Sequence, residues 1–331
     1  MEYLISEQLV LKIYTVGYKS MGESIIFLII VDGNIKFSGV VDCYETENLN
    51  KTLEILKENK IQTLDFICMT HPDKDHCRGL EKILNMTQET TKIVYPINLF
   101  YNGEEYDKYV NTAVTAIAQF VKMNTNNSNK PQLISCVGKK IIPIEKSFKD
   151  VNTGYVYPVE IKTYSPITDV LEKRPSKLFI KGIRELEKIE HNDLSIMLSV
   201  AVGDFKMLLC GDIENDSIQL LKKEFTKEDM LFFSKTIDYY KIPHHGSNGS
   251  NEMKKMLSTV SELSNSITTV YANKHLPDSD MINYYKSKSE KIYCTSNIKN
   301  ENKYEYGIVE LTIDLLNGTI KEEKKANAIE L

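Results

Sequence analysis

No apolar run in this 331-residue chain is longer than SIIFLIIV at 24–31, 8 residues that read as a buried strand. A membrane-spanning helix needs roughly 20. The first residues, MEYLISEQLVLKIYTVG, lack a basic stretch followed by an apolar core and a small-residue cleavage site, so no secretory signal is expected. Excess charge is also missing. Against 46 Asp and Glu stand 41 Lys and Arg, a net charge of -5, which gives no global electrostatic footprint for nucleic acid and leaves such binding to a local patch. The 6 cysteines, at 43, 68, 77, 136, 210 and 294, include no CxxC pair, and their even number is no evidence for disulfides in an intracellular chain of this size. Cys77 and Cys210 stand beside ligand-rich motifs, yet a small buried hydrophobe is the commoner role for cysteine. A reduced, cytoplasmic protein with no membrane partner is expected.

What the chain does have is a globular composition, 42% hydrophobic and 26% charged, with strands and helices in alternation. LVLKIYT (9–15), SIIFLIIV (24–31) and IKFSGVV (35–41) are β-rich, and DGN at 32–34 is a hairpin signal. LNKTLEILKENK (49–60) has helical spacing, LDFICMT (64–70) reads as a buried strand, CRGLEKILNM (77–86) as a helix and KIVYP (92–96) as a strand. Residues 97–150 carry tyrosines, a helix at 104–123 and a polar loop at 124–130, and read as an insertion or lid. Beyond it, strands are expected at 159–165, 194–202, 205–212, 238–245, 268–273 and 307–314, with helices near 177–190 and at 213–225. The charged tail KEEKKANAIEL reads as frayed or loosely docked. No repeat is present. Two such sets of strands can stack with helices outside, giving an α/β protein: an αββα sandwich of two mixed β-sheets flanked by helices, in a single domain over 1–331.

One stretch is chemically dense. In ICMTHPDKDHCRGL (67–80), His71, Asp73, Asp75 and His76 occupy the turn between a strand and a helix, where their side chains can converge. A solvated charged loop is the ordinary fate of such a cluster, and Asp75 alone could be an N-cap. Imidazole and carboxylate are also ligands for divalent transition metals, and four of them suit a two-metal site. Two more clusters follow apolar runs: Asp212 in LLCGDIEND, and His244 with His245 in KIPHHGSNGS. Three such clusters, each at a strand end, point to a metal centre.

HPDKDH resembles the HxHxDH signature of the metallo-β-lactamase superfamily, with Asp73 in the second His position. The set THPDKDHCRGL, LLCGDIE, KIPHHGS and NDLSIML, with YTVGYKSMGESIIF and VVDC before it, is similar to the metallo-β-lactamase-like domain of the ComEC type. The likeness runs over roughly 9–315 and implies the metallo-β-lactamase fold in a stand-alone form, since no membrane channel accompanies it. Carried over by position, it implies that His71, Asp73 and Asp212 hold one metal, and that Asp75, His76, His245 and a bridging Asp212 hold the other. Which of His244 and His245 is the ligand stays open; the resemblance favours His245, because superfamily members place this His immediately before a Gly-containing loop, and leaves His244 to support a ligand or to face substrate. His191, in EHNDLS, stands where many superfamily members carry a further ligand, and is either that or a surface histidine. His275, in NKHLPDSD, falls where ComEC-like domains show a His-Pro element, which implies either a phosphate contact or only a cap on the helix after it. Asp42 in VVDC is a candidate for orienting ligands.

Two divalent ions about 3.5–4 Å apart activate a water as hydroxide and polarise an anionic oxygen, and Asp75 would orient that hydroxide. A carboxylate at Asp73 suits Mn²⁺ as well as Zn²⁺. The favoured expectation is a metal-dependent phosphodiesterase or nuclease acting on nucleic acid or a nucleotide, with Lys74, Arg78 and the lysines of NKH and KSKSEK as cationic helpers. The alternatives are a hydrolase of small esters, lactones or phosphorylcholine-type groups, which a pocket of Tyr95, Phe100, Tyr101 and Tyr106 would favour, and a metal-bound regulatory or binding subunit. The superfamily spans such substrates, and fold does not fix function. A protein partner or homo-oligomer stays open.

Overall fold

Successive residues of the N-terminal strands go to different cores, which is why these stretches are apolar throughout rather than alternating. The structure, a computed structural model, describes the chain except residues 98, 101–105, 124–129, 169–190, 298, 300 and 301. One sheet of 8 strands contains β2 (Leu9–Tyr18), β3 (Glu23–Val31), β4 (Asn34–Val41), β5 (Leu64–Cys68), β6 (Thr87–Pro96), β7 (Gln132–Cys136), β16 (Tyr306–Asp314) and β17 (Thr319–Ala326). Its order is β17-β16-β2-β3-β4-β5-β6-β7, antiparallel up to β4 and parallel from β4 to β7. The second, 10-stranded sheet comprises β1 (Glu2–Ile5), β8 (Lys140–Ile142), β9 (Ser147–Asp150), β10 (Val156–Thr163), β11 (Leu198–Val202), β12 (Phe205–Leu209), β13 (Ile237–Lys241), β14 (Leu263–Thr268), β15 (Ser289–Cys294) and β18 (Ile329–Glu330). Here β12, β13, β14 and β15 are parallel neighbours.

Three apolar clusters define the layers. Leu9, Leu11, Ile13, Ile25 and Phe27 of the first sheet meet Ile161, Val200, Met207 and Leu209 of the second in one inner core. Tyr14, Val16, Ile26 and Leu28, from the other face of the same strands, pack against α1 (Lys51–Glu58), α3 (Leu80–Leu84) and α4 (Lys108–Met123). Leu208 and Tyr240 face outward to α5 (Asn215–Glu224), α6 (Met253–Met256) and α7 (Ser279–Lys288). The result is two mixed sheets face to face with helices outside. Local signals agree: Asn50 caps α1 by accepting from Leu53 N at 3.0 Å. Among the described residues no helix is long and apolar enough to cross a membrane.

Several expectations need correcting. Residues 97–150 are not a simple insertion, because β7 extends the first sheet while β8 and β9 enter the second. TTVYAN is not a strand: β14 ends at Thr268, and Ala272–Lys274 form a 3-10 turn. The helix expected over 77–86 divides at Gly79, which has φ +95°, into the short α2 (Lys74–Cys77) and α3. The charged tail is ordered. β17 pairs with β16 over eight register positions, and its alternation of exposed and half-buried residues suits a lysine-rich edge strand. The helix expected near 177–190 and Tyr101 lie outside the described residues, as does most of 124–130.

Candidate metal centre

The clusters meet where β4, β5, β12 and β13 finish, the end of a parallel sheet at which α/β proteins place ligands. β4 delivers Asp42, β5 and α2 deliver His71 to His76, β12 delivers Asp212, and β13 delivers His244 and His245. The backbone there is constrained. Asp42, His244 and His245 have φ values of +57°, +47° and +51°, left-handed conformations that cost side-chain-bearing residues on the order of 1–3 kcal/mol each and persist only where their surroundings enforce them. Gly246 follows at φ +78°, and a Cβ on it would lie 2.7 Å from Pro277 Cβ.

Asp75, His76, Asp212 and His245 are all buried, and each offers a ligand atom within 4.8 Å of the others. His76 Nε2 lies 3.3 Å from Asp212 Oδ1 and 3.7 Å from Asp75 Oδ2; His245 Nε2 lies 3.0 Å from Asp75 Oδ2 and 3.6 Å from Asp212 Oδ2. The Nδ1 atoms are occupied elsewhere. His76 Nδ1 donates to Asp42 Oδ2 at 2.8 Å. Thr70 Oγ1 gives its one proton to Asp42 Oδ2 at 2.6 Å, so it accepts from His71 Nδ1 at 3.0 Å. By the same reasoning Thr269 Oγ1, which donates to Glu23 Oε2 at 2.6 Å, accepts from His245 Nδ1 at 2.7 Å. Each of these imidazoles therefore commits an Nδ1 proton to an oxygen and turns Nε2 inward, the orientation in which an unprotonated Nε2 can bind a metal ion.

This arrangement tests whether a cation fits. His71 Nε2, His76 Nε2 and Asp212 Oδ1 are buried without a hydrogen-bond partner, a costly state for polar atoms unless something else satisfies them. A lone pair on His245 Nε2 facing a carboxylate oxygen at 3.0 Å is repulsive unless a proton or metal ion lies between. The cluster can hold a metal ion. Electrostatics agree: burial opposes ionisation of Asp212, but the imidazoles of His76 and His245 outweigh it and hold the carboxyl well below the usual range. Burial likewise disfavours charge on His76, and Asp212, Asp75, Asp42 and Glu23 overcome it, raising its pKa well above that of a free imidazole. Desolvation lowers the pKa of His71, aided by the neighbouring His76.

A second group adjoins the first. The His71 and His76 rings are 4.2 Å apart, His71 Nε2 lies 3.7 Å from Asp73 Oδ2, and Asp73 Oδ1 meets His191 Nδ1 at 2.5 Å. His191 thus reaches the site through Asp73. His244 does not enter the four-residue cluster; its Nδ1 lies 3.1 Å from Glu214 Oε1, which also accepts from Asn192 Nδ2 at 2.9 Å. His275 is exposed, in a left-handed conformation at φ +56°, and no described contact joins its side chain to the cluster. Cys77 donates to the His71 carbonyl at 3.2 Å, and burial pushes Cys210 up to about 12, so both remain thiols beside the ligands.

Sequence reasoning missed Glu23, Lys241, Thr269, Glu214 and Tyr271. A signal existed for two of them: Glu23 opens, and Lys241 closes, strands that are otherwise largely apolar, and both are buried. Compared with known proteins, the chain matches no family model and no curated protein.

Proposed function

We propose that this chain is a metal-dependent hydrolase with a metallo-β-lactamase fold and a two-ion site, cleaving phosphodiester bonds in nucleic acid or a nucleotide. The observation that carries this reading is the pair of inward-facing Nε2 atoms of His76 and His245 around Asp75 and Asp212, each imidazole locked by a partner on Nδ1. His71, Asp73 and His191, linked through Asp73, would be the residues to hold a second ion, with Asp212 contributing to both. Bound divalent ions supply an activated water and a Lewis acid for an anionic oxygen. Asp75 would orient that water through its carboxylate. His244, steadied by Glu214, stands beside the cluster to meet a phosphate oxygen or the leaving group.

Charge around the cluster supports an anionic substrate. Arg78, Lys74 and Lys108 converge on the Tyr109 ring at 4.3, 5.1 and 4.8 Å, and Arg78 also faces Tyr44. Lys274 lies over Tyr271, whose ring is 5.4 Å from His245. These pairs offer cations to phosphates and aromatic faces to bases. The second reading, a small-ester, lactone or phosphorylcholine-type hydrolase, draws on Tyr106 packed 5.4 Å from the His191 ring and on the Tyr95–Phe100 pair.

Apoprotein reloaded with Mn²⁺ or Zn²⁺ should cleave bis-p-nitrophenyl phosphate or a nucleic acid, with Mn²⁺ at least as effective because Asp73 presents a hard oxygen. Asp73→His should move the preference toward Zn²⁺. Cleavage of carboxylic esters or lactones with no phosphodiester turned over under either ion would overturn the reading in favour of the second.

A further inference from the structure

One fully buried charge pair among the described residues has no part in the ligand set. Lys241, fully buried at the end of β13, places Nζ 2.7 Å from Oε2 of Glu23, which is 2% exposed at the start of β3. It therefore joins the two sheets. Ion pairs in such a place are seldom retained for stability alone, since the desolvation of both charges offsets most of their attraction. Glu23 could also be counted, with Asp42 and His76, as a metal-binding trio. The contacts argue against that, because Lys241 and the Thr269 hydroxyl take Glu23 Oε2 while His76 Nδ1 is committed to Asp42.

We infer that Lys241, Glu23 and Thr269 form a buried relay whose role is to fix the tautomer and aim of His245. The logic is one of proton direction. Lys241 keeps Glu23 an anion, and an anionic carboxylate only accepts. Thr269 must then donate to Glu23 at 2.6 Å and accept at 2.7 Å, which leaves the His245 proton on Nδ1 and its Nε2 lone pair facing Asp75 and Asp212. Remove the acceptor and the hydroxyl is free to turn and donate to Nδ1, which drives the proton onto Nε2 and closes that position to an ion. Glu23, Thr269 and Lys241 are thus positioning residues. The relay does for His245, from both sheets at once, what Asp42 and Thr70 do for His71 and His76.

The inference rests on the reading that the cluster holds a divalent ion, but not on the substrate. Its test is Zn²⁺ affinity by chelator competition, with the visible spectrum of the Co²⁺-loaded protein, on the full chain. Thr269→Val, close in shape but without the hydroxyl, should bind Zn²⁺ roughly 10–100-fold more weakly and alter the Co²⁺ spectrum, as loss of a ligand's hydrogen-bond partner does elsewhere. Thr269→Ser should restore both. The double variant Glu23→Leu/Lys241→Met, which removes the pair without stranding either charge, should unfold near the wild-type midpoint yet bind Zn²⁺ as weakly as Thr269→Val. Wild-type affinity in Thr269→Val, or equal loss in Thr269→Ser, would overturn the relay and assign Thr269 to packing. A wild-type chain that takes up no Zn²⁺ or Co²⁺ would overturn the metal reading and the relay together.

Discussion

At Asp212 a carboxylate only 4% exposed faces His76 and His245, and no hydrogen bond satisfies its Oδ1. Asp212→Asn keeps the volume and removes the charge. The expected outcome is a fold unchanged by circular dichroism, bound metal reduced at least roughly tenfold, and hydrolysis abolished. Wild-type metal content with full turnover in that variant would sink its assignment as the shared ligand. At this scale the sequence is most legible, because His71, Asp73, Asp75, His76, Asp212 and His245 are polar groups that break apolar runs and need only converge to be useful. Glu23 and Thr269 are less legible. Each is a single polar residue whose role depends on a partner distant in sequence, Thr269 lying 246 residues from Glu23.

Elements were legible where both faces of a strand are buried, as in β2 and β3, and obscure where charge decorates an edge. β17 shows why. Its sequence TIKEEKKA reads as a solvated tail, yet Glu310 of β16 is nearly buried and takes Lys325 of β17 at 2.6 Å and Lys12 of β2 at 3.2 Å. Burial opposes ionisation of Glu310, and the two ammonium groups outweigh it, lowering its pKa below the usual carboxylate value. A lowered folded-state pKa contributes stability that is complete above the unfolded-state value and is lost as pH falls through the folded one. Glu310→Gln should therefore cost about 1 kcal/mol at neutral pH, in keeping with partly exposed lysine partners. It should also lessen the fall in melting midpoint between about pH 6 and about pH 3. A wild-type-like acid profile in the variant would show that the triplet contributes nothing to holding the edge.

For the whole molecule, the consequence lies in which sheet supplies which group. Asp42 and His71 to His76 come from the first sheet, and Asp212 and His245 from the second, while Glu23 and Lys241 pair across the gap. A cation held among these residues would tie one sheet to the other and quiet carboxylates that otherwise crowd together without solvent. Such an ion binds the folded chain and finds no preformed site in the unfolded one, so its binding free energy becomes folding free energy. At an ion concentration about 100 times the dissociation constant the gain is about 2.7 kcal/mol. Adding Zn²⁺ or Mn²⁺ to stripped protein should then raise the melting midpoint by on the order of 5 °C, and excess chelator should reverse it. Asp212→Asn should respond to neither. Glu310→Gln, altered at a strand edge outside the ligand set, should show the wild-type increment from its own lower starting point. A wild-type midpoint indifferent to both ions would mean that the hydrogen bonds and ion pairs among these residues suffice to join the sheets, and that the cluster is a buried polar network rather than a metal centre.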